Sequence, residues 1–271
     1  MIIVAGGDSF VYGSELADCN GRHSQSTFAA LLSQEHQYQC VAWPGLGNDG
    51  IAHRVIAECE AIWPERPAVI VSWTFPGRYE FRFNYHTNQR GSPWYTITPW
   101  TVRDDPATIE KEFVNQNSNI LYEQIKNITK AKENGIADFA KSFYKNVGDS
   151  EYWEIYTTLK EITYLQNYLK TNSIPYLFTC ADNCIWYNHT IQTADASIHS
   201  LTEQIHRDQA NWFWFPAGTE ATQTTDPRGF YQWALENKYP IGTTHPLEAA
   251  HTAAAHIMKD QFNAMVTKSL Q

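Results

Sequence analysis

Residues 7–9 (GDS) carry a side chain that could do covalent chemistry. They follow a short apolar run at the start of the chain. A serine on a tight turn between a strand and a helix exposes its hydroxyl, and its own backbone N–H can face a substrate oxygen. The hydroxyl becomes a nucleophile only when a neighbouring base removes its proton. Ser9 is therefore a candidate nucleophile, although the tripeptide alone is more typical of a turn serine that caps a helix.

A histidine near the other end of the chain is the candidate base. His245 lies in residues 242–246 (GTTHP), directly before a long predicted helix. Of the ten histidines, it has the context best suited to a fixed base at a helix entrance. His251 falls on that helix and could support His245 from behind. We expect no metal site, because neither HExxH nor a Cys/His spacing typical of zinc ligands occurs.

A third segment could supply donors for the oxyanion that forms on a substrate when a serine attacks it. Residues 44–49 read PGLGND and follow the second predicted strand. Gly45 lets a backbone N–H approach a ligand closely, and Asn48 adds a side-chain amide. Turn formation alone explains such a segment equally well.

Alternating strands and helices are predicted to bring these segments together. Short apolar runs predict strands at residues 2–5, 38–42, 68–73 and 174–179, and helical spacing predicts helices at residues 28–32, 51–63, 151–172, 194–207 and 246–270. This order is typical of an α/β protein with a parallel sheet and helices on both faces. The carboxyl ends of such strands share one edge. The loops that begin at Gly6, Pro44 and Thr74 should therefore meet there.

The alternation is interrupted at about residues 75–150, which are polar and aromatic. We predict one domain over residues 1–271 with an insertion in this region. The insertion could form a lid or substrate wall, or equally a structural elaboration or an oligomer contact. Its rings could stack on a sugar or line an acyl pocket; they belong to Tyr79, Phe81, Tyr85, Trp94, Tyr95 and Trp100.

These segments together resemble blocks of the SGNH/GDSL hydrolase family. GDSF at residues 7–10 resembles the first block, Gly45 the glycine of the second, and HP at residues 245–246, followed by Glu248 and His251, the last. The order and wide spacing of the blocks match over nearly the whole chain. The resemblance implies a three-layer α/β/α sandwich with a flavodoxin-like parallel sheet, hydrolysis of acyl esters and no cofactor.

The third block of that family departs from its usual pattern in this chain. It normally supplies an asparagine that donates to the oxyanion, and here Thr74 stands at that position. A threonine hydroxyl donates one hydrogen bond and reaches less far than an amide. Arg78 or Asn48 could substitute for it. The predicted oxyanion hole comprises Ser9, Gly45, Thr74 and Asn48.

The last block departs from the pattern as well. The family places an aspartate three residues before the histidine, and that position is Gly242. His245 could then act in a dyad with Ser9, form a hydrogen bond to a backbone carbonyl, or use another carboxylate such as Asp226. The candidate supporting residues are Asp8, Arg78, Asp226 and His251.

Composition and the first residues of the chain restrict the binding partners and the cellular compartment that we expect. The formal net charge is −9, and Lys and Arg do not cluster as nucleic-acid or anionic-membrane binding requires. Five cysteines have no disulfide-scaffold spacing. The first residues lack the features of a secretory signal, and their apolar run is too short to span a bilayer. We predict reduced thiols and a cytoplasmic protein that binds neither nucleic acid nor membrane.

The sequence as a whole predicts a serine-dependent hydrolase of acyl esters, with a small-molecule or carbohydrate ester as substrate. Carbohydrate O-acetyl esters are one candidate. An acyltransferase would use the same serine and histidine. A non-catalytic binding or assembly protein on a degenerate SGNH fold is the other alternative, which Gly242 and Thr74 favour. Nucleotide binding is disfavoured because the first turn lacks phosphate-binding glycine spacings. The sequence predicts no oligomeric state.

Overall fold

The structure is a computed structural model that divides into two compact units. It describes residues 1–83, 94–102, 133–186, 195–217 and 228–268. One unit comprises Met1–Pro76 and Ile155–Gln271, and the other Gly77–Glu154. The bounds of the second unit lie close to those of the segment predicted as an insertion. The organisation as a single domain stays a prediction.

In the first unit, strands and helices alternate along the chain, as the sequence predicts. The strands are β1 (Ile2–Gly6), β2 (Gln37–Cys40), β3 (Ala68–Trp73), β4 (Tyr79–Arg82), β5 (Trp94–Ile97) and β6 (Tyr176–Cys180). The helices are α1 (Ser9–Tyr12), α2 (Phe28–Leu32), α3 (Asn48–Ala61), α4 (Ile136–Phe143), α5 (Glu151–Thr171), α6 (Ala196–His206), α7 (Phe230–Glu236) and α8 (Glu248–Lys268). The predicted helix at residues 51–63 begins three residues earlier, at Asn48.

The first unit is built on a parallel sheet with strand order β2-β1-β3-β6. Beyond β6, Trp212 forms an isolated parallel bridge with Phe178. Strands β1, β3 and β6 are buried along their whole length, as expected of a parallel sheet that is covered on both faces.

Two hydrophobic cores lie on opposite faces of this sheet, because successive strand side chains point to opposite sides. Val4, Val69 and Val71 pack with residues of α3, α5 and α6. Ile3 and Ile70 pack with residues of α2, α7 and α8. The molecule therefore has helix, sheet and helix layers in this unit. The predicted α/β class and flavodoxin-like parallel sheet are confirmed.

The second unit has a small core of its own. Strands β4 and β5 pair antiparallel, with Tyr79 opposite Ile97. Tyr144 packs in the same core, and its hydroxyl donates to the carbonyl oxygens of Gly77 (2.6 Å) and Ile97 (3.2 Å). The Tyr79 hydroxyl donates to the Gly148 carbonyl at 3.0 Å. These hydrogen bonds connect separate segments of the unit through its buried tyrosine side chains.

The aromatic residues predicted to stack on a substrate have different environments within the second unit. Tyr79 is buried, and the Phe81 ring packs against Phe139 and Phe143 with centroids 4.9 and 5.2 Å away. Tyr95 is half-buried and Trp94 is exposed. Tyr85 and the Trp100 side chain lie outside the described residues. Two of the six rings thus stabilise this unit internally.

Three further features concern the described residues. No helix among them is long and apolar enough to cross a bilayer. All five cysteines lie in the described ranges, and none forms a disulfide. Within the same ranges, no group of three or more His, Cys, Asp or Glu side chains is arranged to hold a metal ion.

Candidate active site

Ser9 begins α1, directly after the turn that ends β1. Asp8 caps this helix, since its carboxylate accepts the backbone N–H of Phe10 at 3.0 Å. The same carboxylate accepts the Thr74 hydroxyl at 2.5 Å. Asp8 and Thr74 are fully buried, and Ser9 is 8% exposed. Asp8 therefore fixes the turn that carries Ser9 to the carboxyl end of β3.

His245 lies on a tight turn that leads into α8. The backbone N–H of Gly242 donates to the His245 carbonyl at 2.8 Å, and Ile241 and Pro246 form an antiparallel bridge. This turn places Nε2 of His245 2.7 Å from the Ser9 hydroxyl oxygen. The distance is that of a hydrogen bond, as proton transfer between the two groups requires.

A carboxylate that the sequence analysis missed lies on the other side of the imidazole. Oε1 of Glu15 is 2.6 Å from Nδ1 of His245. Glu15 also accepts the Thr244 hydroxyl at 2.7 Å and the Thr244 backbone N–H at 3.1 Å. The backbone N–H of Thr243 donates to its second oxygen. Glu15 thus joins the loop after α1 to the turn that carries His245.

Glu15 is ionised at neutral pH. Burial alone would raise the pKa of its carboxyl group, but hydrogen bonds from His245, Thr244 and Thr243, together with the charge of His245, outweigh burial and lower the pKa. A hydroxyl, an imidazole and a carboxylate therefore form one continuous hydrogen-bonded line. This is the arrangement in which an imidazole can activate a hydroxyl for attack on a carbonyl.

The loop that carries Glu15 has a second attachment to the histidine segment. Oε1 of Glu248, the first residue of α8, accepts the backbone N–H of Ala17 at 2.8 Å. No spacing rule links Glu15 to His245, which is 230 residues away. The available signals were an acidic residue six positions after Ser9 and a glycine where a carboxylate was expected. Asp226, the carboxylate named from sequence, lies outside the described residues.

Two backbone N–H groups are available to a ligand on the rim of the sheet, which is the edge formed by the carboxyl ends of its strands. Gly45 has a φ of 80°, a left-handed conformation that favours glycine, and the N–H of Ser9 belongs to a first helical turn, where such groups have no partner within the helix. Among the described residues, neither N–H donates to a protein acceptor. The Trp43 N–H, which donates to the Gly7 carbonyl at 3.1 Å, ties the Gly45 loop to the turn that carries Ser9.

Asn48 and Thr74, the other two candidate oxyanion donors, are bonded to each other. Oδ1 of Asn48 accepts the Thr74 backbone N–H at 2.9 Å, and Nδ2 donates to the Thr74 carbonyl at 3.1 Å. Nδ2 is also 3.3 Å from the Thr158 hydroxyl. Both side chains are buried. Their polar groups therefore hold the rim of the sheet together.

The two remaining candidate supporting residues lie in different places. Arg78 belongs to the second unit. His251 is buried in the first unit, where its Nδ1 accepts the Phe28 backbone N–H at 3.1 Å. Burial lowers the pKa of His251 to about 3, with a further lowering by His245 and an opposing hydrogen bond to the Pro246 backbone. His251 is thus a neutral imidazole that connects the start of α2 to the segment behind His245.

One aromatic ring contacts His245, and two further rings lie next to that ring. The Phe10 ring centroid is 4.7 Å from that of His245. The rings of Phe75 and Tyr231 lie 6.3 and 6.0 Å from Phe10, and both are half-buried. The half-buried rings of Phe75 and Tyr231 therefore present flat apolar surface next to Phe10, the residue that follows Ser9.

Comparison with known proteins gives matches among solved structures only. No family model matches the chain, and no curated protein matches it. The chain is similar to the psychrotrophic esterase EstA from Pseudoalteromonas sp., a structure inhibited by monoethylphosphonate, with 10% identity and a TM-score of 0.41 over 99% of this chain and 98% of that one. It is also similar to a protein assigned to the lipolytic G-D-S-L family from Desulfitobacterium hafniense, with 12% identity and a TM-score of 0.44 over 96% and 98% of the two chains.

A third similar structure is assigned as an acylhydrolase from Bacteroides fragilis, with 10% identity and a TM-score of 0.43 over 97% of this chain and 86% of that one. Similarity at these identities and TM-scores carries no information on activity.

Proposed function

We propose that this chain is a serine hydrolase that cleaves acyl esters, with Ser9 as nucleophile and His245 as general base. The observation that carries the proposal is the 2.7 Å distance between the Ser9 hydroxyl oxygen and Nε2 of His245. His245 takes the hydroxyl proton while Ser9 attacks the ester carbonyl carbon. The proton then passes from His245 to the departing alcohol, which leaves an acyl group on Ser9. Water, deprotonated by His245, then attacks the acyl carbon. The bond between that carbon and the Ser9 oxygen breaks, His245 returns the proton to Ser9, and the acid is released.

The negative charge that develops on the carbonyl oxygen is held by the backbone N–H groups of Ser9 and Gly45. Donors that are already in place stabilise such a charge without reorganisation. Thr74 and Asn48 contribute indirectly, since their side chains hold the nucleophile turn and the end of β3 in position. The hole proposed here therefore consists of backbone donors.

The rings near the nucleophile favour a substrate with a flat or apolar face. Phe75 and Tyr231 flank Phe10, which contacts the base. Acyl esters of small molecules fit such a surface, and so do O-acetyl esters of carbohydrates, whose rings stack on aromatic side chains. A hydrogen-bonded hydroxyl and imidazole favour an enzyme over a binding or assembly protein, which needs no such pair.

Hydrolysis of nitrophenyl esters of increasing acyl length tests the proposal. Ser9→Ala and His245→Ala should each lower kcat by about 10⁴-fold or more. Matched controls are Ser200→Ala and His199→Ala, which alter exposed residues of α6 and should leave the rate unchanged. A fluorophosphonate probe should label the parent at Ser9. Equal rates in the parent, Ser9→Ala and His245→Ala would rule out the assigned roles.

Product analysis separates hydrolysis from acyl transfer. The same acyl-Ser9 intermediate can pass its acyl group to an alcohol in place of water. With an acetyl ester and an added sugar acceptor, we expect free acetate as the main product. Predominant formation of acetylated sugar would instead make the chain an acyltransferase.

A further inference from the structure

We propose that Glu15 is the positioning residue of this active site. Its carboxylate occupies the space that a side chain at residue 242 would need. The inference rests on the proposed function, because it concerns how His245 is held while it acts on Ser9. In the related family pattern a carboxylate stands three residues before the histidine. Here the carboxylate comes from the loop after the nucleophile, six residues beyond Ser9.

The contacts of Glu15 fix its carboxylate with respect to the imidazole. One oxygen is 2.6 Å from Nδ1 of His245. Four N–H and O–H groups of residues 243–245 reach the carboxylate, three of them from the two threonines. A carboxylate held by several donors cannot rotate away from the ring. With Nδ1–H donated to Glu15, Nε2 is the nitrogen left to accept the Ser9 proton.

Gly242 and Glu15 compete for one volume. A β-carbon at residue 242 would collide with Oε2 of Glu15 and would lie 3.1 Å from a methyl carbon of Leu247. The backbone of Gly242 is outside the left-handed region that requires glycine. The Glu15 carboxylate, rather than the local backbone conformation, is therefore what excludes a side chain at residue 242.

A purely structural role for Glu15 makes a different prediction from a positioning role. The loop is also tied to α8 through Glu248, which accepts the Ala17 N–H and, among the described contacts of the His245 ring, forms none. If Glu15 only tethered the loop, removal of either tie would have the same effect. If Glu15 orients His245, its removal should lower kcat specifically.

The first experiment compares Glu15→Gln with Glu248→Ala in the full chain. Glu15→Gln should lower kcat by about 10²–10⁴-fold with little change in KM, since a neutral amide neither stabilises the imidazolium nor enforces its tautomer. Glu15→Asp should recover part of the loss. Glu248→Ala should lower the melting temperature and leave kcat within a few-fold of the parent. Equal loss of kcat in Glu15→Gln and Glu248→Ala would overturn the positioning role.

The second experiment moves the carboxylate. Gly242→Asp in the parent should lower both activity and stability, because two carboxylates then crowd one space. The same substitution in Glu15→Ala should raise kcat by about 10-fold or more over Glu15→Ala alone, since the volume is free and the new carboxylate faces Nδ1. A sign reversal of this kind measures direct coupling between the two positions. The same effect of Gly242→Asp in both backgrounds would overturn the proposal.

A spectroscopic measurement keeps this inference separate from the proposed function. A proton held between Nδ1 of His245 and Glu15 should give a strongly downfield proton resonance in the NMR spectrum. The resonance should persist in Ser9→Ala and disappear in both Glu15→Gln and His245→Gln. Its presence in a chain that hydrolyses no ester would refute the function and support the role of Glu15. Its persistence in Glu15→Gln would refute that role.

Discussion

Asn48 and Thr74 exchange two hydrogen bonds across 26 residues of sequence, and so join the start of α3 to the end of β3. The Thr74 N–H donates to the Asn48 side-chain oxygen at 2.9 Å, and the Asn48 amide donates to the Thr74 carbonyl at 3.1 Å. The N–H and carbonyl of Thr74 are buried, and a buried backbone group without a partner costs free energy. The turn that carries Ser9 depends on this junction, because the Thr74 hydroxyl donates to the side chain of Asp8.

We predict that Asn48→Ala lowers the free energy of unfolding by about 2–3 kcal/mol, because a buried N–H and a buried carbonyl lose their partner. Urea unfolding followed by circular dichroism measures the loss. Asn263→Ala, at an exposed position of α8, is the control and should unfold at nearly the parental midpoint. Similar midpoints for Asn48→Ala and the parent would show that the junction is not needed.

Thr74→Val should lower stability by about 1–3 kcal/mol and change kcat by no more than a few-fold. Valine fills nearly the same volume but cannot donate to the Asp8 carboxylate, and hydrogen bonds to charged groups are worth about that much. An oxyanion donor would behave differently, since its loss costs about 10²–10³-fold in kcat. Steady-state kinetics with a nitrophenyl ester therefore distinguishes the two roles of this hydroxyl. A large loss of kcat would place Thr74 in the oxyanion hole.

Gly45→Ala should lower kcat by about 10²-fold, because an alanine shifts the backbone away from its left-handed conformation and moves the N–H proposed to hold the oxyanion. Gly21 is a matched control. It has a φ of 75°, compared with 80° for Gly45, and an added β-carbon has open space at both positions. Gly21→Ala should therefore carry the same backbone strain and keep full kcat. Equal kinetic losses in the two variants would remove Gly45 from the oxyanion hole.

Stability should fall in acid partly because of His251. Burial lowers its pKa from 6.5 to about 3 in the folded chain, so that below about pH 6.5 the unfolded chain takes up a proton that the folded chain does not. Linkage then favours unfolding as the pH falls through this window. Between about pH 7 and about pH 5, the parent should lose about 2 kcal/mol more than His251→Gln, in which glutamine can still accept the Phe28 N–H.

Urea unfolding at both pH values measures the difference attributable to His251. His256→Gln is the control, because it makes the same substitution at an exposed position of the same helix. An identical loss in the parent and in His251→Gln would contradict a neutral, buried His251.

Much of the sheet could be read from the sequence. The runs at residues 2–5, 68–73 and 174–179 became β1, β3 and β6 with ends shifted by at most two residues. Such strands are buried on both faces, and their apolar runs are therefore almost uninterrupted. The start of α3 was predicted too late, because PGLGND was interpreted only as turn residues. Asn48 belongs to the helix, and its helical position is what directs its amide to Thr74.

The candidate site was predictable only in part. Ser9 and His245 could be named because each follows a local pattern, a serine on a glycine turn and a histidine before a helix. Glu15 has no such pattern. Its role depends on a loop that bends back to residues 243–245, and on the absence of a side chain at Gly242. Contacts of this kind are set by the packing of distant segments, which short-range spacing does not encode.

The sequence by itself determined the order of strands and helices, the parallel sheet that this order requires, and the two side chains that could exchange a proton. The tertiary structure decided which carboxylate reaches the imidazole, and it decided that the Asn48 and Thr74 side chains bond to the protein. The physical reason is the distance along the chain over which each kind of interaction acts. Backbone periodicity and turn chemistry act over a few residues, whereas a hydrogen bond between Glu15 and His245 exists only after the core has brought two ends of the chain together.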